Sequence, residues 1–347
     1  MSAADGVAAV LVLVITLYAW SGLADYGAGF WDLLAGDRAT GRRPRQLIDA
    51  AVTPIWEANH VWLVFILVVA WTAFGIAFAS IMTTLYIPLF LAALGIVLRG
   101  ASFALRKDAA REGRRHVAGW LFGLGSILTP FCFGTVLGAL AAGRVPVGNA
   151  AGNEITSWWN PVSILTGVLA VASGAFLSAV YLVAEARRRD LPDLERYFWT
   201  RAIAAGAVGL VAGAAAAIAL HGDNPQMFDR LVSRSIPLLL IGVIALAATM
   251  YLARRAVVRG LRVVAAVGVA ALIWSWAVAQ APYLLPFTLT IDDGAGAAPT
   301  LRWVLIWTVI ALLAIIPALA LLYSLDQRST DLGEDPATAR PETDLSR

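Results

Sequence analysis

The segment WEANHVWLVFILVVAWTA, Trp56 to Ala73, places a carboxylic acid, an amide and an imidazole directly before a long apolar run. Similar apolar runs recur along the whole chain, and a run of about 20 residues is long enough to cross the hydrocarbon core of a bilayer. The runs are continuous and do not alternate with polar residues, which favours membrane helices over a β-barrel. The pattern predicts an all-α polytopic membrane protein. It also raises the question of what Glu57, Asn59 and His60 do at the mouth of a membrane helix.

The composition agrees with a membrane protein. Of the 347 residues, 60% are hydrophobic and only 14% are charged, whereas soluble domains carry roughly a quarter charged residues. The single cysteine, Cys132, excludes an intramolecular disulfide and any cysteine-based zinc or iron–sulfur site. The net charge of +3 gives no reason to expect nucleic acid as a partner. The N-terminal MSAADG lacks the basic region of a signal peptide, so we expect a first membrane helix there.

The apolar runs predict about nine transmembrane helices. We expect a tight turn between the second and third of them, within Gly75 to Ser80, because almost nothing separates the two runs. The predicted spans lie near residues 7–24, 58–77, 79–98, 118–142, 161–185, 200–220, 235–253, 260–281 and 301–324.

The arginine distribution predicts the orientation of these spans. Of the 26 Lys and Arg residues, 22 fall on one side of the predicted membrane and four on the other. Cytoplasmic loops carry the excess of basic residues, so the N-terminus is expected outside and the C-terminus in the cytoplasm. We expect one transmembrane domain over residues 1–325. The polar segment 326–347 cannot bury enough apolar surface to fold, and we expect it to be a disordered cytoplasmic tail.

Few polar residues lie at or near membrane depth, where a charge usually marks a pathway. Asp25 follows the first predicted span, Glu57 and His60 open the second, Asn160 opens the fifth and Gln280 closes the eighth. Asp25 and Glu57 fall on the cytoplasmic side and could receive protons there. A carboxylate that caps a helix end is the plain structural alternative. We favour that alternative for Asp25 and leave both explanations open for Glu57.

The spacing of Glu57 and His60 puts two metal-ligand types on one helix face, as in half of a di-iron site. A complete site needs a second Glu-x-x-His and two further acids, which the sequence lacks. His60 is also the only histidine near a predicted span, so several haems are excluded. We therefore expect no metal site and no catalytic residue in this chain. Any redox centre is expected in a partner.

Two further groups of residues have ordinary explanations in a membrane protein. The 13 tryptophans cluster near span ends, as interfacial belts do. Arg99 and Arg106 follow the third predicted span and could pair with Asp25, with Glu57 or with lipid headgroups. We favour the headgroups.

Three segments resemble subunit II of the cytochrome bd quinol oxidases. They are WEANHVWLV at 56–64, LYIPLFLAALGIVLRGASFALR at 85–106 and APYLLPFTLTIDDGAGAAPTLRW at 281–303, with ADYGAGFWDLL at 24–34 as a weaker fourth. The resemblance runs from about Asp25 to Tyr323.

The resemblance implies two four-helix bundles plus one peripheral helix, in a bacterial cytoplasmic membrane. It implies a heterodimer with a haem-bearing subunit I that holds haems b and d. That complex oxidises quinol and reduces dioxygen to water, and it builds a proton gradient. Subunit II would bind no haem itself and would supply a proton path and oxygen access. A structural quinone in this chain, small single-helix subunits and lipid as further partners stay open.

The resemblance also implies roles for individual residues. Glu57, Asp25 and Asn59 match proton-path positions of the family, and Trp62 matches a tryptophan near the oxygen route, with Trp56 completing an apolar frame. His60 is often a glutamine in that family, which leaves its place in the path less defined. The family's second acid after Asp25 is replaced here by Ala28, so that the path entrance would use other groups, such as Asp32 or water.

Two rival functions remain at this level. A stand-alone secondary transporter would use intramembrane acids and helices broken at prolines, for which Pro88, Pro130, Pro237 and Pro317 are candidates. The acids lie at one mouth and not at the midplane, which speaks against a transporter. A purely structural subunit without a proton role is the second rival.

Overall fold

The computed structural model describes residues 2–36, 41–52, 56–107, 112–255 and 260–332. Within these ranges the side chains of 52, 56–58, 103–104, 106–107, 112–116, 316, 319–320 and 322–332 are not described. The described chain is almost entirely helical, as the apolar runs predict. In order along the chain, the elements are α1 Ala3–Leu33, α2 Arg42–Val52, α3 Trp56–Ala73, α4 Gly75–Thr84, α5 Tyr86–Lys107, α6 Glu112–Ala141, α7 Pro161–Arg188, α8 Pro192–Asp223, α9 Pro225–Arg254, α10 Leu261–Gln280, β1 Tyr283–Leu285, β2 Leu289–Thr290 and α11 Ala298–Leu332.

Seven of the described helices are long and apolar enough to cross a membrane, and an eighth span results if α3 and α4 count as one. The apolar part of α5, Tyr86–Ser102, is shorter. The structure therefore supports a multi-pass helical protein with seven or eight such helices, and the count of nine remains a prediction.

The predicted turn within Gly75 to Ser80 is wrong, because these residues form the first half of α4. The chain bends by 119° between α3 and α4, at Phe74. The hydroxyls of Ser80 and Thr83 on α4 accept hydrogen bonds from the backbone N–H groups of Gly148 and Ala150, at 3.0 and 2.9 Å. The segment between α6 and α7 thus anchors α4, a long-range contact that local sequence does not show.

Two other boundaries differ from the sequence prediction. Residues 221–234 were expected to form an outer loop, but α8 continues to Asp223 and α9 begins at Pro225, so that Asn224 alone joins them. The side chain of Asn224 accepts from the N–H of Met227 and caps α9. At the other end of the chain, α11 continues to Leu332, into the segment expected to be a disordered tail, and residues 333–347 lie outside the described residues.

Helices α6 and α7 form the interior of the molecule, since most of their apolar length is buried, whereas α8, α9 and α11 expose most of theirs. Helix α1 packs against both α6 and α7 and also contacts α3, α10 and α11. Helices α5 and α6, α7 and α8, and α9 and α10 form close neighbouring pairs. Apolar surface on this scale is expected to face lipid or another membrane protein.

Candidate functional site

Asp25 lies inside a helix and not at its end. Helix α1 continues to Leu33, two turns beyond the predicted end of the first span, and the Asp25 residue is only 5% exposed. The explanation that Asp25 caps or solvates a helix end is therefore wrong. A carboxylate in this position needs a partner, because a buried unpaired charge costs several kcal/mol.

The partner of Asp25 is Arg99, on α5. The Arg99 guanidinium forms an ion pair with Oδ1 of Asp25, and the side chains of both residues are almost completely buried. The same guanidinium donates to the backbone carbonyl of Asp25 and to Oγ of Ser126, each at 3.1 Å. The expectation that Arg99 contacts lipid headgroups is thus wrong, and the side chain of Arg106 lies outside the described residues.

Aromatic rings and an amide complete the surroundings of this pair. The Arg99 guanidinium lies 4.9 Å from the ring centroid of Tyr26 and 4.6 Å from that of Phe122, a geometry in which the ring quadrupoles attract a cation. Nδ2 of Asn59 lies 3.4 Å from Oδ2 of Asp25 in a long hydrogen bond. We call these residues, Asp25, Tyr26, Asn59, Arg99, Phe122 and Ser126, the buried polar cluster. It joins α1, α3, α5 and α6.

Small residues allow the helices to approach closely enough to form the cluster. A Cβ atom at Gly125 on α6 would collide with the backbone carbonyl of Gly95 on α5. A Cβ atom at Gly29 on α1 would collide with the Ser126 side chain. Glycine at helix contacts permits such backbone approach in membrane proteins. The Arg99 side chain consequently reaches Asp25 on α1 and Ser126 on α6.

The other predicted site residues divide into two groups. Asn59 and Trp62 are buried on α3, and His60 is half-buried beside them. The backbone of Trp56 and Glu57 begins α3, but their side chains lie outside the described residues, so the predicted roles of both remain predictions. In the described part of the chain, no group of three or more His, Cys, Asp and Glu residues could hold a metal ion.

Asp32 lies on the same face of α1 as Asp25, because seven residues correspond to about two helical turns and about 10 Å. It is buried and forms an ion pair with the half-buried Arg45 of α2, whose Nε lies 3.6 Å from Oδ1 of Asp32. Nε of Arg45 also donates to the Asp32 carbonyl at 3.3 Å. Helix α2 lies outside the predicted spans; it is a short helix with Leu47 and Ile48 buried against the core and Arg42 and Arg43 exposed.

Asn160 and Gln280 have structural explanations. The Asn160 side chain caps α7 by accepting from the N–H of Ser163 at 3.0 Å. Nε2 of Gln280 donates to the carbonyl of Leu284 at 2.8 Å and ties the end of α10 to β1. Neither residue contacts the buried polar cluster through a hydrogen bond that the described side chains show.

The sequence predicts Asp25 and Asn59 as site residues and allows a pair of Asp25 with Arg99, although lipid headgroups were the favoured partner. Tyr26 and Ser126 were not among the predicted site residues. One local signal was available. The third predicted span begins at residue 79, whereas α5 begins at Tyr86. Counted from Tyr86, Arg99 lies in the fourth turn of the helix, within the apolar part of α5. An arginine there needs a buried partner.

The fold and the cluster define a polytopic helical membrane protein with an arginine–carboxylate pair enclosed between four helices. The sequence model of the family "Cytochrome bd terminal oxidase subunit II" matches residues 4–326, nearly the whole chain. The chain therefore belongs to this family and is a subunit of a terminal oxidase. The resemblance read from the motifs is confirmed.

Individual relatives agree with this assignment. The chain is 28% identical over 239 residues to "Cytochrome bd ubiquinol oxidase subunit 2" of Bacillus subtilis (strain 168), covering 68% of this chain and 67% of that protein. It is 26% identical over 165 residues to "Cytochrome bd-I ubiquinol oxidase subunit 2" of Escherichia coli (strain K12), covering 46% of this chain and 42% of that protein.

A solved structure shares the fold. "The structure of bd oxidase from Geobacillus thermodenitrificans" contains a chain that aligns with a TM-score of 0.78 and 24% sequence identity, covering 94% of this chain and 98% of that one. The match supports the all-helical fold over nearly the whole chain.

Proposed function

We propose that this chain is the subunit II of a quinol:dioxygen oxidoreductase, paired with a haem-bearing subunit I in the bacterial cytoplasmic membrane. The family membership supports the proposal. In it, the nine predicted spans place the N-terminus outside and the C-terminus inside, with two four-helix bundles and α11 as the peripheral helix.

We place haems b and d in the partner, as the family resemblance implies. The two histidines whose side chains the structure describes do not fit the two axial positions of one haem. His60 lies near the start of α3, and His221 lies near the end of α8, at the side that the arginine count predicts to be external. Axial ligands of one haem must face each other across a few ångströms, which these two positions do not allow. Small single-helix subunits and a structural quinone stay open in this proposal.

The buried polar cluster is the observation that supports a proton path. Its carboxylate, Asp25, lies inside the helical bundle at a depth where ionisable groups usually serve transport of ions or protons. In the proposal protons enter from the cytoplasm near Asp32 or Glu57 and reach Asp25, with Asn59 and His60 orienting the carboxylate or holding water. Trp56 and Trp62 form the apolar frame near the route of oxygen.

Arg99 has a definite part in this path. It offsets the charge of the Asp25 carboxylate while that group is ionised. When a proton neutralises the carboxylate, the guanidinium keeps its hydrogen bonds to the Asp25 carbonyl and to Ser126 and its contacts with two rings. The cation thus stays solvated by protein groups in both protonation states, so that protonation of Asp25 need not rearrange the helices.

The rival functions are weakened to different degrees. Family membership favours an oxidase subunit over a stand-alone transporter. In addition, α6, α9 and α11 continue through Pro130, Pro237 and Pro317 without ending there, and Pro88 lies in the first turn of α5. A purely structural subunit without a proton role remains the alternative to the proton path.

Purification and one substitution test the proposal. The chain should co-purify with a haem-bearing subunit, and the complex should show the absorption bands of haems b and d; purification of the chain alone would contradict the pairing. In the assembled complex, Glu57→Gln should slow oxygen reduction about tenfold or more at normal haem content, because a proton-transferring side chain contributes at least that much.

The matched control is Glu154→Gln. Glu154 is exposed, and its carboxylate accepts from the hydroxyl of Tyr86 at 3.1 Å, away from the buried polar cluster. Its substitution should leave turnover unchanged. Equal turnover of the Glu57→Gln complex and the control would favour the purely structural role and remove the proton-path claim for Glu57.

A further inference from the structure

A cleft lies at the start of α8, on the side that the arginine count predicts to be cytoplasmic. Its volume is about 580 Å³. It lies where the polar first turns of α8 meet the apolar part of the helix, which is the depth of lipid phosphates in a bilayer. The residues that line it are Pro192, Asp193, Arg196, Tyr197, Thr200 and Arg201.

The cleft carries an excess of positive charge. Its one acidic residue, Asp193, already forms an ion pair with Arg43 of α2. Among the described side chains, no carboxylate lies within ion-pair distance of Arg196 or Arg201. Two guanidinium groups at one opening, with no described carboxylate paired to either, favour an anionic ligand.

Arg201 is held in a fixed orientation. Its guanidinium carbon lies 3.3 Å from the ring centroid of Tyr197 and 5.9 Å from that of Trp31 on α1. Its NH1 donates to the carbonyl of Tyr197 at 3.2 Å. The Tyr197 hydroxyl is buried and has no hydrogen-bond partner among the described residues. A guanidinium that is oriented before binding loses less side-chain entropy when it takes up a phosphate.

An apolar stripe continues from the cleft along the same face of α8. The residues that follow Thr200 at intervals of about one helical turn lie on the same face of α8. Among them, Val208, Val211 and Ile218 are 51%, 70% and 74% exposed. The distance from Thr200 to Val211 is about 16 Å at 1.5 Å per residue, close to half of a hydrocarbon core about 30 Å thick. We define the apolar stripe as Ala204, Ala207, Val208, Val211 and Ile218, all of them exposed.

We propose that this cleft and stripe bind one anionic phospholipid of the cytoplasmic leaflet, with the phosphate at Arg196 and Arg201 and an acyl chain along α8. The charge of the cleft selects the headgroup, and the stripe distinguishes a lipid from a free phosphate. A quinol has an uncharged headgroup and does not match two unneutralised guanidinium groups. The proposal does not depend on the proton path.

Native mass spectrometry of the purified complex tests the site. The probes are dioleoyl phosphatidylglycerol, dioleoyl phosphatidylcholine and the soluble glycerol 3-phosphate, each titrated into delipidated complex in detergent. Phosphatidylglycerol should bind more tightly than the other two. Arg196→Gln and Arg201→Gln should each weaken its binding about fivefold, the change that about 1 kcal/mol per basic side chain at a membrane surface gives.

The control is Arg255→Gln, since Arg255 is exposed at the same end of the bundle and contacts Tyr251, outside the cleft. It should leave the affinity unchanged. Arg196 is exposed, so its substitution keeps the test usable if the half-buried Arg201 is needed for folding. Equal binding of phosphatidylcholine, equal binding of glycerol 3-phosphate, or an equal effect of all three substitutions would overturn the proposal. An affinity for phosphatidylglycerol that neither Arg196→Gln nor Arg201→Gln changes would overturn it as well.

Discussion

Replacing both members of the Asp25–Arg99 pair should destabilise the protein much less than the two single replacements added together. The substitution Asp25→Asn leaves the Arg99 guanidinium as a buried cation, and Arg99→Met leaves the Asp25 carboxylate as a buried anion. Both side chains are at most 4% exposed, so solvent cannot replace the missing partner. Breaking a buried pair in this way costs about 3–5 kcal/mol.

The two single substitutions should differ in size. After Asp25→Asn, Arg99 keeps its hydrogen bonds to Ser126 and to the carbonyl of residue 25 and its two aromatic neighbours, so the loss should lie near 3 kcal/mol. After Arg99→Met, the carboxylate retains, among its hydrogen bonds to described side chains, the 3.4 Å bond from Asn59, and the loss should approach about 5 kcal/mol. The double variant removes both charges and should cost less than Arg99→Met alone, which gives a coupling energy of about 3 kcal/mol or more.

The measurement is the free energy of unfolding of the four proteins in mixed micelles of dodecyl maltoside and increasing sodium dodecyl sulfate, followed by circular dichroism. The control cycle uses Arg144 and Asp223, an ion pair at the surface whose side chains are 42% and 23% exposed. Its coupling should stay within about 1 kcal/mol. Additive losses for Asp25→Asn and Arg99→Met would refute the buried pair as the reason that α1 and α5 come together.

Two further substitutions test the packing. Gly27→Ala should prevent assembly or cost several kcal/mol, since its Cβ would collide with the Gly174 carbonyl. The control Gly119→Ala, with open space around residue 119, should change stability by no more than about 0.5 kcal/mol. Thermal unfolding of the complex compares the two variants, and equal stability would contradict the close approach of α1 and α7. Ser80→Ala removes the acceptor of the Gly148 N–H and should cost about 1 kcal/mol, visible as faster amide exchange at that residue; unchanged exchange would show that this bond does not anchor α4.

The local hydrophobic pattern was sufficient to locate the helices but not to predict the residues at which they begin and end. The apolar runs located every long helix, because hydrophobicity over about 20 residues is a property of the segment itself. The sequence did not predict the bend at Phe74 or the extension of α1 to Leu33. The reason is that these segments contain polar residues that are buried in the fold, namely Asp25, Tyr26, Asp32 and the hydroxyl residues of α4. A polar residue ends a predicted span, whereas a partner on another helix allows the span to continue.

The candidate site was predicted only in part for the same reason. Motif resemblance selected Asp25, Asn59 and Trp62, and the structure places all three in the buried region where α1 meets α3. It could not select Arg99, whose partner lies 74 residues away, nor show that Tyr26 and Phe122 enclose its guanidinium. The sequence pattern at Arg99 is equally compatible with a lipid-facing arginine near a helix end.

The sequence by itself determined that this protein is a polytopic membrane protein, and its motifs determined the family. Both conclusions depend on single segments of the chain, which can be recognised without knowing which other segments pack against them. Only the tertiary structure decided which buried charges neutralise each other and where the helices bend. Those outcomes depend on the crossing points of helices, at Gly95 and Gly125 between α5 and α6 and at Gly27 and Gly174 between α1 and α7. A buried charge is tolerated only where such a crossing brings the opposite charge within hydrogen-bond reach.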